Sequence, residues 1–273
     1  MRLNLEELLT TEVREPVWIV EGIIPASTIV LVAGDAGVGK STMNLSEGLH
    51  IALGLPHLGH QTVQGRVLYF DEENSRPDIA SYLQQLWLGM GQPNPAILKQ
   101  NFAIEHFSLG NPRWAEAMDK LATEFQPQII YIDTATSTLA IEDENQNAEA
   151  QRAVQKLRHI VRDTASHPAI KILKHAKYQS GGGHKGQVRR TIRGAKAWVG
   201  AVDQTMYHIR AQGAPLKGGF HRTILVPDKR RAFGLRGNIR ITPHESETLP
   251  KSLVLKGEVF ESKIDLMLVG EEE

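Results

Sequence analysis

LVAGDAGVGKST, residues Leu31 to Thr42, joins a continuous apolar run to a glycine-rich turn and then to a helical pattern. Gly34, Gly39, Lys40 and Ser41 stand in the spacing G-x-x-x-x-G-K-[ST]. A strand before that turn and a helix after it are the context that gives the spacing its meaning. The glycines let successive backbone N–H groups turn inward around phosphate oxygens, and the helix opening near Lys40 adds the positive end of its dipole. The loop from Gly34 through Asp35, Ala36, Gly37, Val38 and Gly39 to Lys40, Ser41 and Thr42 is therefore expected to bind ATP. Lys40 would reach the β- and γ-phosphates, and the Ser41 hydroxyl would ligate Mg²⁺.

Outward from this loop the chain alternates short apolar runs with helical spacing. TIVLVA (28–33), RVLYF (66–70), FAIEHF (102–107), QIIYI (128–132) and AIKILK (169–174) read as strands. Ile79, Leu83, Leu86 and Met90 repeat at helical intervals, as do Trp114, Met118, Leu121 and Phe125, and then Val154, Leu157 and Val161. That rhythm predicts an α/β fold, a P-loop core with a mainly parallel twisted sheet flanked by helices. Beyond Asp203, DQTMYHIR, RTILVP, NIRIT and SLVL are short strand-like runs between Gly, Pro and charged turns, expected to extend the sheet as antiparallel strands. Three segments are expected: an N-terminal helical segment over 1–16 that can contact another subunit, a core over 17–260 and a tail over 261–273.

The 273 residues carry no formal net charge and no cysteine. A disulfide framework and thiolate zinc sites are excluded, which agrees with a cytoplasmic setting. No apolar run reaches the length of a membrane span, so a soluble chain with no membrane partner is expected. Charge is unevenly spread: from Thr164 to Val202 there is no acid, while Lys171, Lys174, Lys177, Lys185, Arg189, Arg190, Arg193 and Lys196 all fall there. A local excess of this kind attracts polyanions.

Two acidic sites follow the loop. PQIIYIDTATS ends an apolar strand at Asp133, where a carboxylate can hold the hydration shell of Mg²⁺. RVLYFDEENSRP places Asp71, Glu72, Glu73 and Asn74 at the end of the strand that follows the P-loop helix. Keeping the water-orienting carboxylate there is the habit of the RecA-like branch, which the chain resembles. Within that branch the order of motifs is similar to the small hexameric replicative DNA helicases of the plasmid RepA type, related to the DnaB-type helicases. The motifs are the P-loop, YFDEEN, IDT (132–134), IEDEN (141–145), ILKHAK (172–177), IRGAKAWV (192–199) and DKRRAFG (228–234), spanning residues 17 to 242.

That resemblance implies a RecA-like ATPase core in which Glu73, or Glu72 beside it, orients the attacking water. It implies that His175 senses the γ-phosphate and that Lys229 and Arg231, or Arg193, act on a neighbouring subunit's nucleotide. SGGGHKGQVRRTIRG (180–194) has three readings. As an ABC-type signature it stands on the wrong side of Asp133. As the arginine lid of a small-molecule kinase it sits poorly with the glutamate block. As a mobile loop in a ring's channel it would put Lys177, Lys185, Arg189 and Arg190 on the phosphates of single-stranded DNA. The expected activity is an ATP-dependent homohexameric DNA helicase or translocase, with replication or mobile-element proteins as further partners. A recombination or repair ATPase without unwinding, and a slow nucleotide-state switch, stay open.

Overall fold

The structure, a computed structural model, describes residues 4–12, 15–106, 112–139, 141, 147–180, 188–192, 196–216, 220–230, 234–245, 251–261 and 267–268. The chain enters through a short helix, α1 (Leu5–Thr10), and a small hairpin, β1 (Trp18–Val20) and β2 (Ile24–Pro25). It then enters the main sheet through β3 (Ile29–Gly34), all of whose residues are buried. The P-loop leads into α2 (Lys40–Leu53), then β4 (Val67–Asp71), α3 (Arg76–Gly89), α4 (Pro95–Asn101) and β5 (Phe102–Glu105). α5 (Trp114–Phe125), β6 (Ile129–Asp133), α6 (Ala135–Thr138) and α7 (Asn147–Asp163) follow. β7 (Ala169–Ser180), β8 (Val188–Ile192), α8 (Lys196–Ala201) and β9 (Gln204–Arg210) come next. The order ends with β10 (Thr223–Arg230), β11 (Asn238–His244), β12 (Val254–Phe260) and β13 (Met267–Leu268).

The strands lie in the order β12-β11-β10-β9-β3-β7-β6-β4-β5. From β9 to β5 every neighbouring pair is parallel, and from β9 to β12 every pair is antiparallel. Alternation along β3 explains its central place. Ile29, Leu31 and Ala33 point into one apolar layer with Trp114, Met118, Leu157 and Trp198 from α5, α7 and α8. Val30 and Val32 point into the other, with Met43, Leu49 and Leu86 from α2 and α3. A strand covered on both faces must be apolar throughout, which is how the run 28–33 reads.

Two details differ from the sequence expectation. The antiparallel extension begins one strand late: DQTMYHIR forms β9, which runs parallel to β3 with Leu31 opposite Thr205 and Gly34 opposite His208. The physical reason is the connection through α8, which crosses over the sheet and returns the chain in its original direction. β7 is also longer than its apolar run, because residues 176–180 leave the main sheet and pair with β8 as an antiparallel ribbon.

Adjacent strands β3 and β7 send their chains opposite ways. β3 continues through α2 toward β4, whereas β7 continues through α8 back to β9, on the other face. Such a reversal opens a crevice beyond the carboxyl ends of the strands. Gly34 and His175 lie side by side at its floor.

Candidate functional site

The P-loop runs from the end of β3 into α2, whose N-cap is Gly39. Gly37 and Gly39 adopt left-handed φ of +69° and +91°, and a Cβ built on either meets nothing within 4 Å. An L-residue is strained at those angles; the open space above them is the shape of a phosphate cradle. Gly34 is a glycine for a different reason. A Cβ there would lie 2.3 Å from the backbone oxygen of His208 on β9.

Lys40 is buried and spans the loop, donating to the carbonyls of Gly34 at 3.0 Å and Asp35 at 2.8 Å. Burial lowers its pKa, opposed by the nearby charges of Glu73, Asp133 and Asp35. Ser41 and Thr42 occupy the next two positions of α2, half-buried.

Asp133 ends β6 directly beside Asp71, which ends β4. One of its oxygens, Oδ2, accepts from the buried Tyr69 hydroxyl at 2.9 Å. Oδ1 is buried with no partner at full hydrogen-bond geometry, although the Ser41 hydroxyl approaches closely enough to hold the pKa down. Burial wins over both hydroxyls and, with help from Asp71 and Glu73, pushes the carboxyl up to about 6. A carboxylate held this dry, with one oxygen unanswered and a serine hydroxyl alongside, fits the hard oxygen ligation that Mg²⁺ requires.

Asp71 builds the turn after β4. Its Oδ1 accepts from the backbone N–H of Glu73 at 3.0 Å and of Asn74 at 2.8 Å, and Oδ2 accepts from the Asn74 side chain at 2.9 Å. This side-chain-to-backbone turn separates the two glutamates. Glu73 meets His175 across the crevice, Oε1 to Nε2 at 3.2 Å. Its hydrogen bond to His175 is the main cause holding its pKa below the usual glutamate range; burial opposes this, and the charges of His175 and Lys40 add to it. Glu72 is raised instead, chiefly by burial, with the charge of Asp71 adding to the effect and the side chain of His106 opposing it.

Thus Lys40, Ser41, Asp133, Glu73 and His175 converge at the ends of β3, β4, β6 and β7. Lys229 does not join them. Its ammonium donates to the carbonyls of Val199, Gly200 and Val202 at the end of α8, where a cation suits the helix dipole. The backbones of Lys177, Arg189 and Arg190 lie in the β7–β8 ribbon, with Tyr178 opposite Arg190 and Gln179 opposite Arg189. Lys185, Arg193 and Arg231 lie outside the described residues.

Sequence reasoning missed the supports and the adjoining cleft. Tyr69 and Asp71 hold Asp133 and the turn; a tyrosine inside a wholly buried run was the available signal, because a buried phenol needs a partner. Beside Gly37 and Thr42 opens a cleft of ≈ 230 Å³ lined by Tyr82, Gln85, Arg210, Phe220 and His221 among others. With phosphates at the P-loop, this is the space into which a nucleoside can extend past Thr42. No local pattern announces it, since its walls come from α2, α3, β9 and the strands after β9.

Residues 2–177 match the AAA domain family. No curated protein matches the chain. Solved structures do, among them a KaiC-like protein from the hyperthermophilic archaeon Pyrococcus horikoshii, at a TM-score of 0.56 and 14% identity over 88% of this chain and 95% of that one. At that identity the likeness concerns the fold. With the P-loop geometry above, the chain belongs to the AAA domain family and is a nucleotide-binding P-loop ATPase of RecA-like fold.

Proposed function

We propose that this ATPase is a motor on single-stranded DNA, a helicase or translocase, working as a homohexameric ring with hydrolysis at the subunit interfaces. One observation carries the reading. The carboxylate of Glu73 is bonded to His175, and two residues beyond His175 the same strand reaches Lys177 and enters the ribbon that holds Arg189 and Arg190. A change at the phosphate end of the crevice therefore has a short route along one strand to a basic segment without acids.

In this reading Glu73, kept ionised by His175, accepts a hydrogen bond from the attacking water and aims it. Lys40 exchanges the Gly34 and Asp35 carbonyls for phosphate oxygens. Ser41 and Asp133 would hold Mg²⁺, which when bound neutralises charge on the β- and γ-phosphate oxygens. His175 loses or regains its grip on Glu73 as the γ-phosphate comes and goes, and the basic stretch of sequence with Lys177, Lys185, Arg189 and Arg190 shifts its hold on the DNA backbone. Contacts to phosphates alone give little sequence preference and strong salt dependence. The cations acting on the neighbour's nucleotide are Lys229 and Arg231, or Arg193; within its own chain the Lys229 ammonium rests on the carbonyls at the end of α8.

The test is ATP hydrolysis with and without single-stranded DNA, with particle mass measured on the same sample. Strong stimulation by DNA in a particle of six copies, with strand displacement, is expected. Replacing Lys185, Arg189 and Arg190 together by alanine should spare ATP binding and abolish the stimulation. A monomer whose turnover ignores DNA refutes the proposal, and stimulation without strand displacement reduces it to a DNA-dependent ATPase.

A further inference from the structure

We infer that Glu47 is a positioning residue for the magnesium site: through Tyr131 it sets α2, and so Ser41, in register with β6 and Asp133. The Glu47 side chain lies between α2 and the sheet and is 2% exposed. Its Oε1 accepts from the Tyr131 hydroxyl at 2.7 Å and from the Lys171 ammonium at 2.7 Å, and both partners are fully buried. Tyr131 and Lys171 stand opposite each other on β6 and β7, and Tyr69 continues the row on β4. The Tyr69 and Tyr131 rings stack at 5.3 Å, and the Tyr69 hydroxyl donates to Asp133. The second carboxylate oxygen, Oε2, faces Nδ1 of His57 at 3.8 Å.

Stability does not ask for an ion pair at this place. Apolar residues of similar volume often serve a core equally well. What the pair supplies is direction. The apolar layer around Met43, Leu45 and Leu49 holds α2 against the sheet, but hydrophobic burial is non-directional and does not fix where the helix stands along the strands. Charge-assisted hydrogen bonds do. Register matters because the bond to Tyr131 joins the same two elements that carry Ser41 and Asp133. Glu47 lies about two helical turns beyond Lys40, on the same face of α2, and Ser41 follows Lys40 directly. Tyr131 and Asp133 alternate along β6 and so share one face. Mg²⁺ tolerates little error in ligand placement, whereas the phosphates are held by backbone groups of the loop itself. A small slip of α2 along β6 is therefore felt first at the metal. The inference rests on the metal position proposed above; it does not depend on DNA or on the ring.

The test titrates the full chain with a non-hydrolysable ATP analogue, once in saturating Mg²⁺ and once in chelator, and reads the ratio of the two affinities. Ser41→Ala is the control for the metal position and should collapse that ratio. Tyr131→Phe, which removes one hydroxyl, should lower the ratio about tenfold while the affinity in chelator stays within about twofold. The triple variant Glu47→Leu, Lys171→Met and Tyr131→Phe replaces all three partners by apolar groups, so none is left stranded, and should behave in the same way. Glu47→Gln with Lys171→Met keeps an acceptor for the Tyr131 hydroxyl and should restore the wild-type ratio. A fall of both affinities together in Tyr131→Phe and the triple variant shows a merely structural role and overturns the inference. Wild-type ratios in those two variants, beside a collapsed ratio in Ser41→Ala, overturn it as well and leave the metal position standing. A loss in the Gln and Met pair as large as in the triple variant assigns the effect to the Lys171 charge and overturns the role of the Tyr131 bond. If Mg²⁺ adds nothing to the wild-type affinity, the metal position falls and the inference falls with it.

Discussion

Replacing Asp133 with asparagine should stabilise the metal-free chain while destroying what the site is built to do. Asp133 is fully buried, with Asp71 beside it and Glu73 in the turn beyond, and its carboxyl is pushed from an ordinary 3.8 to about 6. That displacement makes the charged form about 3 kcal/mol harder to hold in the folded chain than in the unfolded one. Asparagine has nearly the same shape and still accepts the Tyr69 hydroxyl bond, so little packing is lost. A carboxyl whose folded pKa is raised contributes its stability when protonated. The wild-type chain therefore loses stability as pH rises from about 4 through 6 and is flat above that.

Without Mg²⁺ and nucleotide, Asp133→Asn should exceed wild type by about 3 kcal/mol at pH 8, or about 5 °C in Tm for a chain of this size. At pH 5 the difference should shrink to roughly half, because Asp133 is then largely protonated in the folded state. The measurement is thermal unfolding in a chelator at both pH values, repeated with ATP and with ATP plus Mg²⁺. Wild type should gain more from the pair than from ATP alone, and the variant should not. A variant less stable than wild type at pH 8, or a gain equal at both pH values, would show that Asp133 carries no costly buried charge, and the assignment of the metal position would lose its basis.

Glu73→Gln should cut turnover by at least about a hundredfold with ATP binding kept, whereas Glu72→Gln should stay within about threefold, since only Glu73 is turned toward His175; steady-state hydrolysis and nucleotide titration decide between them. Gly34→Ala places a Cβ against the His208 carbonyl of a neighbouring strand, where neither backbone can yield, and should cost more than about 3 kcal/mol in denaturant unfolding. His208 is driven down to about 3, mainly by burial, with Lys40 and Lys171 adding to the effect. The unfolded chain takes up that proton near 6.5 while the folded chain refuses it, so this stability is full above 6.5 and drains away as pH falls toward 3. Between pH 8 and pH 5 wild type should lose about 2 kcal/mol more than His208→Asn, read from urea midpoints at the two pH values.

What the sequence made legible was chemistry carried by short-range geometry. The P-loop needs a strand, a turn and a helix in succession, and all three are written between Leu31 and Thr42. Asp133 announces itself as the first charge after a buried run. The choice between Glu72 and Glu73 was not legible, because it depends on which backbone N–H groups Asp71 accepts and on a histidine a hundred residues away that the sheet brings opposite. The resting place of Lys229 was not legible either: its ammonium donates to carbonyls at the end of α8, which only the fold brings within its reach. β9 misled for a physical reason too. Gln204, Thr205 and His208 look like the solvent-facing half of an outer strand, but all three are buried, and the Thr205 and His208 side chains bond to Asp228 and Thr223. Those bonds are possible only because β10 returns antiparallel alongside a strand that itself runs parallel to β3. The same arrangement presses the His208 carbonyl onto Gly34 and makes β9 and β10 one wall of the cleft beside Thr42. The direction of one strand thus ties the nucleotide loop to the antiparallel half of the sheet. Substitutions on β9 that keep its burial should therefore alter nucleotide affinity without touching a phosphate-binding residue.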